Sequence, residues 1–431
     1  MSQTNPNKPV LLLTDSDVDG LSGHVVGLYT LRSLHTPHIH YAHFATSSQP
    51  QQPGTSATQM DLLQVLNYLV ADPSSVHIID VPPPREVARR VTYIDMIRRL
   101  RAIGVDVEIY DVTDHAAPDD WRQIASAGAA LRLVPDGYSA KLQYAHSRGV
   151  FDSELEKWAL LGSIADFDES VAEKTSRELE RTVAEIVDPV YKFVMQQHTD
   201  IKPLIPRYGS AGAVAEYVVA RNMSMDEFIR FAESLSSQLP PNQRVVMPRE
   251  YHATTFGVIV DSQRNQIPPG LQWKTAWKTA FETNSYYSVV YNVPPPPGRQ
   301  GVGVIVASYW RQKRLVAQAI DNAVNEISRH YGASVVGHSG ARSLLFPPGT
   351  DTSTIAYEIA RLIESNMTVS RVTHLINDTT VASAVLEEYR QISRQLAEIL
   401  STMQQMYREY LELKRRQVEL LEHATQRVRY D

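Results

Sequence analysis

The segment that decides the fold is Pro9-Val-Leu-Leu-Leu-Thr-Asp-Ser-Asp-Val-Asp-Gly-Leu-Ser-Gly23. The apolar run that opens it is typical of a short buried strand in a parallel sheet. Three aspartates follow at alternate positions, Asp15, Asp17 and Asp19, and apolar residues with helical spacing come after Gly20. In open α/β sheets, ligands bind just beyond the carboxyl ends of the strands. The segment therefore predicts a strand, an acidic loop and a helix, with a binding site at the loop.

The three aspartates favour a bound cation. Carboxylates this close repel one another and disfavour folding unless a cation neutralises them. Aspartate oxygens are hard ligands that suit Mg²⁺ or Mn²⁺. The alternative interpretation is a solvated aspartate-rich turn that caps the next helix. A calcium-binding EF-hand is excluded, because Val26 stands where that loop needs a bidentate glutamate.

Length and composition limit the class of protein. A chain of 431 residues predicts two or three domains, and 43% hydrophobic with 21% charged residues is an ordinary globular composition. The net charge of −6 excludes general electrostatic attraction to nucleic acid, so any such contact must come from local basic patches. Cysteine is absent from the sequence, which excludes disulfides, thiolate metal sites and cysteine nucleophiles. Aspartate and histidine remain as metal ligands.

Targeting signals are not evident in the sequence. No basic-then-apolar signal segment opens the chain, and no apolar run approaches the length that spans a membrane. We therefore expect a cytoplasmic protein without a membrane partner.

Two further strands lead into acidic residues or histidine. The apolar segment 76–79 ends at Asp80, and the segment 105–110 leads into Asp114 and His115. Strands that alternate with helices predict right-handed parallel crossovers, which place the strand ends on one side of the sheet. We therefore expect these side chains to meet the aspartates of the first loop at one edge.

The chain as a whole divides into four predicted parts. Helical patterns follow the first sheet, Pro240 and Pro241 mark a hinge, and a second β-rich region begins near 251. We expect a parallel-sheet catalytic domain over 8–200, a helical connector over 201–245, a smaller α/β domain over 246–380 and a coiled-coil helix over 381–431.

The last part carries a heptad pattern. Apolar residues recur every seven positions along one seam, and a companion seam lies between them: Val385, Ile392, Ile399, Met406, Leu413 and Leu420, with Tyr389, Leu396, Met403, Tyr410 and Ala424. This pattern predicts a homo-oligomer or a coiled-coil protein partner through 385–424. The alternative is one long helix that packs on the body of the same chain.

Five motifs, in order, resemble those of the DHH phosphoesterase superfamily. They are Asp15-Ser-Asp-Val-Asp-Gly20, Asp80, Asp114-His115, Gly-Ser-Ile-Ala-Asp166 and Gly337-His338-Ser-Gly-Ala341. The first is most similar to the single-strand-specific exonuclease branch, and the last is similar to the glycine–histidine motif of the DHH-associated C-terminal domain. The resemblance covers roughly residues 8–365. It implies a parallel-sheet DHH catalytic domain and a smaller α/β domain that closes a cleft over metal ions.

The resemblance also implies site residues. One or two Mn²⁺ or Mg²⁺ ions would be held by five residues: Asp17, Asp19, Asp80, His115 and Asp166. Asp15 and Asp114 would be further ligands or supporting groups, and Asp15, Asp114 and His115 the catalytic residues. Four residues would bind the phosphates or sugar of the substrate: Gly337, His338, Arg342 and Ser343. In a two-metal scheme, one ion activates a water and the pair clamps the attacking and leaving oxygens, with Asp80 or Asp19 as a bridging carboxylate.

Two positions depart from the family pattern. Ala116 stands where the DHH triplet has its second histidine, and alanine neither coordinates a metal nor donates a hydrogen bond. This predicts activity that is slower, differently specific or lost. Ser343 stands where the family usually has glycine, although the neighbouring Arg342 offers a charged contact to phosphate.

Three functions are compatible with these observations. The favoured one is a metal-dependent phosphodiesterase or exonuclease that hydrolyses single-stranded DNA or RNA or short oligonucleotides. The second is a catalytically weak DHH-fold protein that serves as a binding subunit of a nucleic-acid-processing complex, tethered through its coiled coil. The third is a cyclic-dinucleotide phosphodiesterase.

Overall fold

A computed structural model describes residues 9–376 and 416, with gaps at 16, 36–38, 44–72, 85–86, 167, 297, 310–312 and 339. The predicted helix after residue 57 and, except for Arg416, the heptad pattern of 385–424 lie outside the described residues. The chain divides into two compact units, 1–363 and 364–431. The site described below lies in the first unit.

The first sheet has five parallel strands in the order β2-β1-β3-β4-β5. They are β1 (Val10–Thr14), β2 (Ile39–His43), β3 (Ser75–Ile79), β4 (Asp106–Val112) and β5 (Ala130–Val134). This confirms the predicted parallel-sheet α/β class. The chain leaves β1 to one side for β2 and returns to the other side for β3. The carboxyl end of β1 is therefore the point where the winding reverses, which is where ligands bind in such sheets.

Helices cover both faces of this sheet. They are α1 (Val18–Ser33), α2 (Val87–Ala102), α3 (Pro118–Ser126), α4 (Gly137–His146) and α5 (Ser153–Ala165). Side chains alternate between the faces along β1: Leu12 packs in the core with α1, α4 and α5, whereas Leu11 and Leu13 pack in the core with α2 and α3. The apolar run that opens the sequence is thus buried on both sides, as a central parallel strand requires.

A helical connector follows. It contains α6 (Arg177–Thr182), two π-helical turns (Val183–Val187 and Tyr191–Met195) that flank a short α segment (Asp188–Val190), α7 (Ile205–Ala220) and α8 (Met225–Ser236). Short 3-10 helices lie at Thr113–His115, Glu169–Lys174, Lys202–Leu204 and Pro241–Gln243.

The second sheet has six strands in the order β10-β11-β9-β8-β7-β6. They are β6 (His252–Ala253), β7 (Gly257–Asp261), β8 (Tyr287–Val293), β9 (Val302–Ser308), β10 (Ser334–His338) and β11 (Ala341–Phe346). Only the β7–β8 pairing among these is parallel. Its helices are α9 (Gln272–Glu282), α10 (Lys313–Tyr331) and α11 (Thr352–Ile376). The second, smaller α/β element that the sequence predicts is therefore present.

Ion pairs join the connector to α9. Lys278 pairs with Glu185, and Lys274 Nζ lies 3.3 Å from Asp188 Oδ2. Burial raises the pKa of Asp188, but the ammonium groups of Lys274 and Lys192 outweigh it and hold that pKa below its usual value. The helices in the described part of the chain include none that is long and apolar enough to cross a lipid bilayer. The predicted domain boundaries stay predictions.

Candidate metal centre

The loop after β1 folds tightly around a glycine. Asp17 is the N-cap of α1, and its Oδ1 accepts a hydrogen bond of 3.0 Å from the Gly20 backbone N–H. A Cβ at Gly20 would lie 2.0 Å from the Asp15 carbonyl oxygen, so only glycine fits there. This turn places Asp19 in the first turn of α1, at the carboxyl edge of the sheet.

Asp80 follows β3 in a left-handed backbone conformation. Its φ is +52°, and its backbone N–H donates to the Tyr110 carbonyl oxygen at 2.8 Å. Few residues other than glycine, asparagine and aspartate adopt this conformation without strain. The Asp80 side chain is only 5% exposed, and its Oδ1 lies 3.9 Å from His115 Nδ1. The ends of β3 and β4 thus bring their side chains together.

Asp111 and His115 form a pair one helical turn apart. Asp111 lies in β4 and is fully buried, and its Oδ1 is 2.6 Å from His115 Nδ1. The turn between them is held by Trp121, whose Nε1 donates to the Thr113 carbonyl oxygen at 2.9 Å. Among the described residues, Asp111 Oδ2 has no hydrogen-bond partner although it is buried. A buried carboxylate oxygen without a partner is costly unless a cation or a proton satisfies it.

These residues fit one divalent cation. One carboxylate oxygen each from Asp80 and Asp111 and one ring nitrogen of His115 lie within 4.8 Å of one another. Two carboxylates and one imidazole are a donor set that suits Mn²⁺. Asp111 Oδ2, which has no hydrogen-bond partner among the described residues, is an acceptor that such an ion can use.

Without a bound cation, the pair of Asp111 and His115 holds one proton at neutral pH, and His115 carries it. Burial raises the pKa of the Asp111 carboxyl to about 6, although the hydrogen bond from His115 opposes this shift. Burial lowers the pKa of His115, but the hydrogen bond to Asp111 and the charge of that carboxylate outweigh it and raise the pKa to about 9. A bound cation would therefore replace a proton.

A buried lysine lies beside this pair. Lys141, on α4, is fully buried; its Nζ is 2.8 Å from Asp19 Oδ1 and forms a shorter ion pair with Asp80 Oδ2. Burial lowers the pKa of Lys141, but the two carboxylates outweigh it and raise that pKa above its usual value. Burial likewise raises the pKa of Asp80, and the charges of Lys141 and His115 bring it below its usual value. Lys141 and Asp80 are therefore both charged at neutral pH.

The predicted ligands do not all meet. Asp19, Asp80 and His115 lie together, whereas Asp114 and Asp166 are exposed. Asp166 is the C-cap of α5 and is near enough to contribute to the electrostatic field at His115. The other three are placed as follows: Asp15 is half-buried, Asp17 caps α1, and Ala116 is partly buried against the apolar core that includes α2 and α3.

The glycine of the fourth motif permits close helix packing. A Cβ at Gly162 would lie 2.6 Å from Ser22 Oγ and 2.8 Å from Asp19 Oδ1. Ser22 Oγ donates in turn to the Trp158 carbonyl oxygen at 2.5 Å. The motif thus brings α5 against α1 at the position of Asp19.

Gly162→Ala is expected to lower the free energy of unfolding by about 1–3 kcal/mol, because the added methyl group overpacks the α1–α5 contact. Urea denaturation measures this effect against the gain of up to about 1 kcal/mol that alanine normally brings to a helix. Ser163→Ala is the matched control, since the buried Ser163 hydroxyl has no partner among the described residues and its loss is expected to cost little. A Gly162→Ala protein as stable as the wild type would contradict the packing role.

The C-terminal motif forms the β10–β11 hairpin. Gly337 has a φ of +114°, and a Cβ there would lie 2.3 Å from the Ala341 carbonyl oxygen. Arg342 Nη1 donates to the Gly337 carbonyl oxygen at 2.8 Å, and its Nε donates to Asp321 Oδ1 at 2.9 Å. Arg342 therefore holds the hairpin in shape. Ser343 is half-buried and pairs with Ile305 in β9, while the His338 side chain lies outside the described residues.

Sequence reasoning missed two groups of this site. Asp111 was not predicted as a site residue, because it lies inside β4, four residues before the predicted histidine. Lys141 was not predicted as a site residue, because neither β5 nor α4 was predicted. The signal for both elements is present. Leu131, Leu133 and Val134 come directly before Pro135, and Asp136 caps α4 by accepting from the Ser139 backbone N–H at 2.7 Å.

Comparisons with known proteins find matches among solved structures at low sequence identity. The sequence matches no protein-family model and no curated protein. A solved DHH-domain protein from a family of ribosomal proteins is 14% identical and covers 82% of this chain and 86% of its own, with a TM-score of 0.45. Exonuclease RecJ bound to manganese is 15% identical, with 84% and 90% coverage and a TM-score of 0.37. CDC45 from Entamoeba histolytica is 8% identical, with 84% and 97% coverage and a TM-score of 0.37.

The parallel five-stranded sheet agrees with the fold class that the five ordered motifs imply, and membership of the DHH superfamily stays a prediction from those motifs. Identities this low say nothing about activity. The exonuclease branch therefore stays a prediction from the first motif.

Proposed function

We propose that this protein is a metal-dependent phosphodiesterase that hydrolyses single-stranded or short oligonucleotides. The observation that carries the proposal is the convergence of Asp80, Asp111 and His115 at the carboxyl ends of β3 and β4. This edge is where ligands bind in an open parallel sheet, and the three side chains come from separate parts of the sequence.

The chain's own residues supply a binding place for Mn²⁺ or Mg²⁺. Asp80, Asp111 and His115 would hold the ion, which when bound lowers the pKa of a water and polarises a phosphoryl oxygen. Both carboxylates are almost fully buried, so their interaction with a cation and with a phosphate is screened less than at the surface. The fixed turn Thr113–His115 keeps the imidazole in place.

Substrate contact by the second sheet is part of the proposal. The sequence motif suggests that Gly337, His338, Arg342 and Ser343 bind the phosphates or sugar of the oligonucleotide. The positive φ of Gly337 and the hydrogen bonds of Arg342 support a hairpin of fixed shape at this motif. Arg342 already pairs with Asp321, so its contribution to phosphate binding includes the positioning of the hairpin.

A specific observation favours a second candidate, a catalytically weak binding subunit. Ala116 takes the position of the second histidine of the motif and is packed partly against the apolar core, and Asp114 beside it is exposed. The triplet therefore contributes one imidazole to the centre. A coiled-coil partner or a second copy through 385–424 would tether such a subunit to a nucleic-acid-processing complex.

Hydrolysis assays with the purified protein separate these functions. The substrates are end-labelled single strands of DNA and RNA of two to twelve nucleotides and cyclic dinucleotides, each with Mn²⁺, Mg²⁺ or EDTA. Metal-dependent cleavage of linear strands is the expected result, and Asp111→Asn is the control for contaminating nucleases. Binding of strands without cleavage would support the second candidate, and cleavage of cyclic dinucleotides alone would overturn the proposed substrate.

A further inference from the structure

The Lys141 ammonium group makes two hydrogen bonds and one further ion pair inside the candidate metal centre. The group has three N–H donors. Lys141 Nζ donates to Asp80 Oδ2 and, at 3.2 Å, to the Gly137 carbonyl oxygen, and it forms an ion pair with Asp19 Oδ1 at 2.8 Å. Lysine is seldom fully buried, and an ammonium removed from water is stable only where carboxylates pair with it. The position of Lys141 is therefore fixed by two of the predicted metal ligands.

The backbone of α4 is shaped for this contact. A Cβ at Gly137 would lie 2.6 Å from Asp80 Oδ2 and 3.4 Å from Lys141 Nζ. The absence of a side chain lets the first turn of α4 approach Asp80 closely. Asp136 begins the helix by accepting a hydrogen bond from the Ser139 backbone N–H, so the turn is held in register.

Asp80 divides its two oxygens between two neighbours. Oδ2 pairs with Lys141, and Oδ1 faces His115 at 3.9 Å, on the side of the proposed cation. A carboxylate that bridges two metal ions uses its oxygens in the same way. Here one of the two positive groups is the ammonium of the protein itself.

The charges in the centre match this arrangement. Asp19, Asp80 and Asp111 each carry one negative charge when ionised, and Lys141 carries one positive charge. The sum of these four is minus two, equal in size to the charge of a single divalent ion with neutral His115 as ligand. Asp17 and Asp166, whose charges also act on Asp19, lie outside this sum. A second divalent ion would have to displace a fully buried ammonium from both of its carboxylates.

We propose that the Lys141 ammonium takes the place of a second cation, so that this centre binds one divalent ion per chain and Asp19 is committed to Lys141. This inference rests on the proposed metal site. It makes Lys141 a built-in positive charge of the centre, which stays in place when the divalent ion dissociates.

The test counts Mn²⁺ ions per chain by isothermal titration calorimetry and by the Mn²⁺ electron paramagnetic resonance spectrum of the full-length protein. The wild type is expected to bind one ion with an uncoupled spectrum. Lys141→Ala frees Asp19 and Asp80 and is expected to bind two ions, with the spectrum of a coupled pair. Two ions on the wild type, or a single ion on Lys141→Ala, would overturn the assignment.

A double variant keeps the test decisive if Lys141→Ala does not fold. Asp19→Asn with Lys141→Met removes both charges of one ion pair and keeps side chains of similar size. It is expected to bind one ion with an affinity within about threefold of the wild type, because Asp19 is not a ligand. A loss of affinity of about tenfold or more, the size of effect that ligand-shell changes cause, would show that Asp19 holds the metal.

These readouts separate this inference from the proposed function. One bound ion without hydrolysis would overturn the phosphodiesterase activity and support the assignment of Lys141. Two ions with hydrolysis would overturn the assignment and support the activity. A wild type that binds no ion would overturn both.

Discussion

Asp111→Asn is expected to lower the affinity for Mn²⁺ on the order of 100-fold or more and to abolish hydrolysis at micromolar Mn²⁺. The substitution keeps the size of the side chain and removes its charge. Asp111 Oδ1 pairs with His115, whereas Oδ2 is buried and has no hydrogen-bond partner among the described residues, so Oδ2 is the oxygen that an ion can use. An amide in this place neither attracts the ion nor holds His115 in the same protonation state.

Thermal unfolding with increasing Mn²⁺ measures the affinity without reference to activity. A ligand that binds only the folded state stabilises it by about 2.7 kcal/mol at one hundred times its dissociation constant. The wild type should therefore gain stability with Mn²⁺, and Asp111→Asn should not. Asp119→Asn, which makes the same charge change at an exposed site on α3, is the matched control and should behave as the wild type. Equal stabilisation of Asp111→Asn and the wild type would remove Asp111 from the site.

The sequence predicts the frame of this site well because strand-end patterns are local. An apolar run followed by acids identifies β1 and β3, and a parallel sheet must bring their carboxyl ends to one edge. The predicted residues Asp19, Asp80 and His115 therefore lie together. These three side chains lie together because of the sheet topology, and the alternation of strands and helices along the sequence predicts that topology.

The two site residues that were not predicted, Lys141 and Asp111, depend on contacts that sequence patterns do not specify. Lys141 lies 61 positions after Asp80, and nothing in the composition of α4 marks that lysine as buried. Asp111 is one acid among several near the end of β4, and only the distance to His115 sets it apart. Burial and pairing of single polar side chains follow from the packing of the whole domain, so they emerge only from the structure.

A second buried network, on β3, carries the other large expected effect. His77 Nδ1 lies 2.8 Å from the Tyr144 hydroxyl, and its Nε2 lies 3.0 Å from Ser75 Oγ. Arg148 approaches the ring at 3.3 Å and pairs with Glu108 at 2.6 Å. Burial, and then the positive charge of Arg148, lower the pKa of His77 to about 3. The imidazole in the folded protein is therefore neutral throughout the range in which histidine normally titrates.

The free energy of unfolding should fall as the pH is lowered through this range. The unfolded chain binds the proton of His77 near its ordinary pKa of about 6.5, whereas the folded chain does not. Because the unfolded state then holds more protons, stability is fully present above about pH 6.5 and falls by about 1.4 kcal/mol per pH unit below it, down to the folded pKa. Carboxylates also titrate at low pH, so the contribution of His77 must be measured as a difference between two proteins.

His77→Asn supplies that difference, because asparagine has no proton to gain. At pH 7.5 the variant should be less stable than the wild type by about 1–3 kcal/mol, since one amide cannot replace both hydrogen bonds of the ring. This difference should shrink by roughly 2 kcal/mol by pH 5, as the wild type loses the stability that depends on a neutral His77. Urea denaturation of both proteins at pH 7.5, 6.5, 5.5 and 5.0 measures this difference. If the difference in free energy of unfolding between His77→Asn and the wild type stayed constant with pH, His77 would be protonated as readily in the folded protein as in the unfolded chain. The loss of stability of the wild type at low pH would then not come from this histidine.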